Sequence, residues 1–363
     1  MPSVSTYLRL ASLVAVAVAG PASKTDTAKR ATCTVDSVAT ASDLSDCTDV
    51  VITGFTVADG ETVTISAAEG ATVTMTGDIT FASTTSSGPL LTFDTTSIAF
   101  NGGDNTIDGN GPDYWDGLGT DGGVPKPHPF VKFKGSGTFE DVTILNSPAQ
   151  AISVGTDGTA VVSGITVNNA AGNTNSLGAN TDGFDVEGDD ITISGSTVNN
   201  QDDCVAINGG EGIVIEDLIC IGSHGISIGS IATGKSVSNV TITGNTVTGG
   251  LYGLRIKVDA TATDASVSDV TYSSNTVSEI SEFGVLITQS YPENDGTPGT
   301  GGPISGIAFT GGTTTVSVDS DANTVVIDCG ACSGTWDFSD LDVTGGKGSV
   351  IDPNDAVISG GSF

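Results

Sequence analysis

Short runs of Val, Ile and Thr return along this chain, with turn residues between them and no helical stretch inside the repeat. The runs that begin at Ile191, Ile213, Val240 and Val270 lie 22, 27 and 30 residues apart. A unit of that length cannot bury its apolar face alone, so such units must stack and share a core. Each run ends in Asn, Gly, Ser or Asp, the residues that turn a strand. With 50 glycines and only 5% aromatic residues in 363, the composition also favours β-structure. The chain reads as an all-β solenoid.

Five successive repeats align without gaps: Asp182-Gly-Phe-Asp-Val, Asp203-Cys-Val-Ala-Ile, His224-Gly-Ile-Ser-Ile, Tyr252-Gly-Leu-Arg-Ile and Phe283-Gly-Val-Leu-Ile. Apolar residues in places three and five suit the inner face of a strand with a two-residue period. Places four and six then face out. Place four is Asp185, Ala206, Ser227, Arg255 and Leu286; place six is Glu187, Asn208, Gly229, Lys257 and Thr288. Place one holds Asp182, Asp203, His224, Tyr252 and Phe283. Strict alternation would turn it inward, but a bend at the following Gly is expected to turn it out.

Parallel coils stack about 4.8 Å apart. Asp182, Asp203 and His224 therefore fall on three successive coils, and Asp202 adds a carboxylate beside Asp203. Arg255 and Lys257 lie on the next coil, so the residues form one patch open to a long polymer. A DD pair alone is ordinary turn chemistry; the shared register makes this set unusual. Three carboxylates in one site cannot all ionise cheaply, so at least one pKa should rise. A protonated acid beside ionised ones is the pairing that hydrolyses glycosidic bonds. Arg255 and Lys257 suit an anionic substrate's carboxylate, Arg with a bidentate fork.

The termini and charge place the chain outside the cell. Arg9 followed by the apolar run Leu10 to Ala19 reads as a signal peptide over residues 1–23, too short to span a bilayer. Residues 24–30 then read as a short propeptide ending at the dibasic pair Lys29-Arg30, with one catalytic domain over 31–363. The formal charge is −32 and becomes more negative when residues 1–30 leave, which argues against nucleic acid and anionic membranes as partners. Arg255 is then the one arginine left. Six cysteines form three local pairs, Cys33/Cys47, Cys204/Cys220 and Cys329/Cys332, most simply three disulfides, though other pairings are open. The Cys329-to-Cys332 spacing lacks the βαβ context of a redox motif. Asn239-Val-Thr is an N-glycosylation sequon.

At these residues the chain resembles the secreted fungal endopolygalacturonases, inverting glycoside hydrolases with a right-handed parallel β-helix that cut pectic polygalacturonate. The matching stretches are NTDGFDV (180–186), QDDCVAIN (201–208), SHGISIGS (223–230) and RIK (255–257), with weaker ones at 114–117, 146–150 and 236–242. The resemblance implies Asp202 as general acid and Asp182 and Asp203 as the pair that activates water, with His224 beside them. It implies Arg255, Lys257 and Tyr291 as substrate contacts, no cofactor or metal, a monomer, and plant inhibitor proteins as partners. Repulsion among the carboxylates is expected to raise the pKa of Asp202, with His224 limiting the rise.

Ser223 departs from the family pattern, as do Thr288 and Ser290, the latter pair at a position expected to face substrate. A C-terminal cysteine pair is missing. The rivals are a xylogalacturonan or rhamnogalacturonan hydrolase, a calcium-dependent pectate lyase, and a β-solenoid surface protein without activity. The coincidence of Asp182, Asp202, Asp203 and His224 argues against the last.

Overall fold

The computed structural model describes residues 31–156, 158–294 and 296–363. The leader and propeptide expected over 1–30 lie outside the described residues. Among the described residues, 24 strands join in one folded sheet and 11 in a second. Neighbouring coils pair in parallel. The central coil shows the plan, with Phe184–Glu187 on the first face, Ile191–Ser194 on the second and Thr197–Asn199 on the third. One long strand, Val205–Glu216, bends from the first face into the second and fuses them into the larger sheet. The protein is a parallel β-helix, right-handed as parallel crossovers are. A short helix, Val38–Ala41, capped by Ser37, packs at the N-terminal end, where Ala41 and Leu44 join the core.

The expected columns stand in register. Phe184, Val205, Ile226, Leu254 and Val285 pair rung by rung, as do Val186, Ile207, Ile228, Ile256 and Ile287, and all are buried. Place four follows the same ladder from Asp185 to Leu286. Place six does not. Glu187 pairs with Gly209 rather than Asn208, and Gly229 and Ser230 bulge out between two paired rungs. Such bulges re-aim side chains where a strand passes a site.

The corner between places one and three has a different cause from the one expected. Of its four glycines, only Gly225 has a positive φ, 76°. Crowding explains the others. A Cβ on Gly183 would lie 2.7 Å from Val198 Cγ1, one on Gly253 2.7 Å from Val277 Cγ1, and one on Gly284 2.8 Å from Val316 Cγ1. Place two thus points inward at the third face, beside an inward place three, and place one is left outside. Cys204 replaces Gly in its coil, and Cys220 replaces Val in the facing column Val198, Cys220, Val247, Val277. The two join in a disulfide, as do Cys33 with Cys47 and Cys329 with Cys332.

Another corner is held by side chains reaching from the next coil. The N–H of Leu218 donates to Asn245 Oδ1 at 2.9 Å, and the N–H of Asn245 to Asn275 Oδ1 at 3.1 Å. Both asparagines are fully buried, so each turn's backbone is satisfied without water.

Gly253→Ala tests the crowding argument. Its Cβ would meet Gly284 O at 2.4 Å. Overpacking of this kind costs about 1–3 kcal/mol. A denaturant midpoint equal to that of the parent would show that the corner has room.

Candidate active site

Asp182, Asp202, Asp203, His224, Arg255, Lys257 and Tyr291 all line one cleft of about 380 Å³ on the first face. A hollow of equal volume near Val38, Leu44 and Thr62 carries a single carboxylate, Asp43, and no histidine or cation. The chemistry therefore belongs to the first-face cleft.

The turn that presents Asp202 and Asp203 is pinned from beneath. Asn200, fully buried, donates to the carbonyls of Asp203 at 2.8 Å and Thr181 at 2.9 Å. Gln201 exchanges hydrogen bonds with Thr181 and donates to the Asn169 carbonyl at 2.8 Å. Cys204 ties the end of the same turn to the opposite wall. The acids of two coils are thereby fixed to each other.

Asp203 sits at the centre with its side chain 1% exposed. Arg255 Nη2 donates to its Oδ1 at 2.6 Å and Lys257 Nζ to its Oδ2 at 2.6 Å. Ser227 also donates to Oδ1 at 2.9 Å and accepts from Arg255 Nε at 3.1 Å. The guanidinium lies 4.3 Å from the Tyr252 ring centre, and the Lys257 ammonium 5.3 Å from that of Tyr291. Arg255 and Lys257 do leave the outer face of the sheet, as their column requires. The expectation that they stand open there needs correction, because both are buried at 4% and 6% exposure against Asp203.

Asp202 is half-buried. It accepts from the Asp203 N–H at 2.8 Å and from Asn180 Nδ2 at 3.2 Å, and its Oδ1 lies 3.1 Å from His224 Nδ1. Burial alone would raise its pKa. The hydrogen bond and charge of His224, the charge of Lys257 and the Asp203 N–H outweigh burial and hold it below the usual carboxylate range. This reverses the rise expected for Asp202. The carboxyls that rise are its neighbours. Burial, reinforced by the charges of Asp202, Asp185 and Asp203, pushes Asp182 well above its ordinary value. Burial, with Asp203 and Asp202, pushes Asp185 up to about 7. Asp182 Oδ1 is also buried without a hydrogen-bond partner.

Sequence reasoning left Asp185 out of the site, although it stands in the same outward column as Arg255. Asn180, the first residue of the 180–186 motif, bridges two parts of the site. Its Oδ1 accepts the Thr120 N–H at 3.0 Å while its Nδ2 reaches Asp202. Tyr252, a member of the place-one column, also shapes the cleft. It meets His224 edge-on at 5.5 Å, stacks on Phe283 at 5.8 Å, and accepts at its hydroxyl from Asn294 Nδ2 at 3.1 Å. Thr288 and Ser290 do not face the cleft as expected. Both are buried and bonded to each other and to Asp328. Gln289 between them accepts from the N–H groups of Gly330 and Ala331, each at 2.8 Å, and so helps hold the C-terminal turn that Cys329–Cys332 closes.

Donor atoms of Asp202, Asp203 and His224 lie within 4.8 Å of one another. They suit a metal ion poorly. Both oxygens of Asp203 are taken by cations, His224 Nδ1 is engaged with Asp202, and Arg255 and Lys257 would repel a cation.

The family model for glycosyl hydrolases family 28 matches residues 47–356. The chain is 42% identical over 368 residues to Endopolygalacturonase A of Aspergillus niger, covering 96% of each. It is 42% identical over 316 residues to Endo-polygalacturonase of Sclerotinia sclerotiorum, covering 84% of this chain and 80% of that one. Endopolygalacturonase I from Stereum purpureum, solved with two galacturonate, superposes at a TM-score of 0.91 with 57% identity, covering 91% of this chain and 100% of that one. The endo-xylogalacturonan hydrolase from Aspergillus tubingensis superposes at a TM-score of 0.65 with 23% identity, which bears on the fold alone.

Two outcomes follow from the geometry. Lys257→Met removes a charged hydrogen bond from buried Asp203 and is expected to cost about 1.5–3 kcal/mol of stability as well as activity; an unchanged melting midpoint would contradict the pairing. Asp185→Asn tests the raised carboxyl. The folded protein keeps the Asp185 proton up to about pH 7, whereas the unfolded chain loses it near pH 4 or about 3.9. Stability should therefore fall as pH rises between those values. Asn removes that penalty, so the variant should melt above the parent at pH 7 and level with it at low pH. Equal midpoints at both would place Asp185 in water.

Proposed function

The chain belongs to glycosyl hydrolases family 28, and from that premise we propose that it is a secreted, endo-acting hydrolase of the α-1,4-galacturonosyl bonds of polygalacturonate. One observation carries the reading. The carboxyls of Asp182, Asp202 and Asp203 share a cleft with His224 and with the Arg255–Lys257 cations. Arg255 and Lys257 recognise the substrate carboxylate, and Tyr291 borders the same place. Asp202 gives its proton to the glycosidic oxygen as the bond to C1 breaks. A water oxygen attacks C1 from the opposite side and passes a proton to a carboxylate, inverting the centre. Both oxygens of Asp203 are engaged by Arg255 and Lys257, whereas Asp182 Oδ1 has no partner. This supports Asp182 as the acceptor of that proton, with Asp203 holding the water and the cations in place.

The cluster has the proton this chemistry needs, but in the protein alone it rests on Asp182 and Asp185. Substrate supplies the reason for it to move. An incoming carboxylate beside Lys257 cancels part of the charge that keeps Asp202 ionised. The glycosidic oxygen then offers Asp202 a partner for its proton. Coupled acids share protons in this way, so the pH profile reports the cluster rather than one residue.

The leader over 1–23, the propeptide over 24–30 and a single catalytic unit over 31–363 complete the proposal. Three disulfides and an exposed Asn239 sequon are consistent with an extracellular life. We take the chain to act as a monomer, with pectic polymer as substrate and plant inhibitor proteins as candidate partners.

Reducing ends should appear from polygalacturonate in the presence of EDTA, with no absorbance from unsaturated product. EDTA-sensitive unsaturated ends would make the enzyme a lyase. Faster cleavage of xylogalacturonan or rhamnogalacturonan would move the substrate. The rate should follow a bell peaking at about pH 4–6, and Asp202→Asn should lower turnover by about 10²–10⁴ with binding retained. Parental turnover in that variant would remove Asp202 as the acid.

A further inference from the structure

The stretch Tyr114-Trp-Asp-Gly117 stands far from the acids in sequence, yet each of its residues ties one part of the chain to another. The Tyr114 hydroxyl accepts the Thr84 N–H at 2.7 Å, Trp115 Nε1 donates to the Ser147 carbonyl at 3.1 Å, and the Gly117 N–H donates to the Leu177 carbonyl at 2.8 Å. Asp116 closes the loop that follows. Its Oδ1 accepts from the Leu118 N–H at 3.0 Å and from Lys126 Nζ at 2.8 Å, and its Oδ2 from the Val124 N–H at 2.8 Å.

Lys126 has its side chain 1% exposed, and its ammonium also donates to the carbonyls of Val124 at 3.0 Å and Gly122 at 3.4 Å. All three of its donors are used, which is what makes a buried lysine tolerable. The hydrogen bonds from Lys126 and the Val124 N–H hold Asp116 down at about 2, so the pair stays ionised in acidic medium.

The closed loop reaches the cleft at one point. Asn180 Oδ1 accepts both the N–H of Thr120, at 3.0 Å, and its hydroxyl, at 3.3 Å. Two glycines make these contacts possible. Gly119 has a φ of 56°, and a Cβ there would lie 2.0 Å from Asn180 Oδ1; Gly123 has a φ of 73°, and a Cβ there would lie 2.0 Å from Asp116 Oδ2. An amide has one acceptor end and one donor end. With Oδ1 taken by Thr120, Nδ2 is the end turned to Asp202 Oδ2, at 3.2 Å. Asp202 Oδ1 is engaged by His224 and by the Asp203 N–H, which leaves Oδ2 to carry the proton.

We propose that the Asp116–Lys126 ion pair is a positioning device for the acid: it fixes Thr120, Thr120 fixes which end of the Asn180 amide faces Asp202, and the amide aims Asp202 Oδ2. The proposal rests on the reading of Asp202 as the general acid. Oδ2 accepts from Asn180 on one lone pair and holds the proton on the other. If the loop opens, the amide is free to turn its oxygen toward Asp202, and a donor becomes a repelling acceptor.

The experiment is a double-mutant cycle on polygalacturonate with Lys126→Met and Asn180→Ala. Lys126→Met should lower kcat about 10- to 100-fold, the cost of a slightly misplaced reacting group, with KM close to the parent's. The alkaline limb of the rate profile should move to higher pH, because Asp202 loses a donor that favours its ionised form. The groups that face Asp202 (His224, Lys257, Asp182, Asp185 and Asp203) stay in place. In the Asn180→Ala background Lys126→Met should lower kcat no further, since both act on one contact. Gly119→Ala keeps the ion pair but crowds Asn180, and should give the same loss of kcat without opening the buried pair. Lys347→Met removes the same charge from an exposed turn after the strand Leu341–Gly345 and should leave kcat and KM alone. Parental kcat in both Lys126→Met and Gly119→Ala, or a full further loss from Lys126→Met on top of Asn180→Ala, would overturn the positioning role. Parental turnover in Asp202→Asn would instead overturn the functional reading on which it rests.

Discussion

No coil of this protein can bury its own inner face. Each is a thin loop of three short strands, and its apolar side chains meet only when the next coil is laid on top. The backbone hydrogen bonds between coils therefore do two things together. They satisfy the strands, and they bring side chains from distant parts of the chain to about 4.8 Å spacing. The core columns from Phe184 to Val285 and from Val186 to Ile287 are one product of that stacking. The cleft is the other. Asp203 and Lys257 are 54 residues apart in sequence and meet because their coils do.

Burying a carboxylate between two cations is tolerable only when the geometry is good and the remaining valences are filled. Asp203 meets that condition through Arg255, Lys257 and Ser227. Its ring of partners also separates the fates of the other acids. Asp202 lies against His224 and Asn180 and is held ionised, whereas Asp182 and Asp185 face burial with more negative than positive charge around them. A single cluster thus contains both proton holders and proton acceptors. The difference comes from which hydrogen-bond donors each coil brings, since all are the same residue type.

Much of this was legible in the sequence because register leaves a trace. The Gly in four of five repeats, with an apolar residue one place later and another two beyond, located the rungs and predicted which residues would share a cleft. The less legible parts depend on contacts between coils. No spacing shows that Val198, Val277 and Val316 leave no room for a Cβ at Gly183, Gly253 and Gly284, so the sequence alone points to backbone bending at that corner. The bulges at Asn208 and Gly229 break a gap-free alignment that looks sound on paper. Burial of Arg255 and Lys257, and of Thr288 and Ser290, depends on what covers the outside of a strand, which alternation does not encode. The order of the carboxyl pKa values needed the positions of His224 and Lys257 relative to each acid.

The rungs are regular, but the stretches of chain that connect them are not. Phe184, Val205, Ile226, Leu254 and Val285 pair in one ladder, yet the intervals between them are 21, 21, 28 and 31 residues. The surplus lies in the turns and in lengthened strand ends. A solenoid of this kind separates the length of its loops from the geometry of its ladder. Residues can be inserted or lost at a turn while the neighbouring acids stay one rung apart. The rim of the cleft can therefore change in length while the spacing of the acids along the ladder stays fixed.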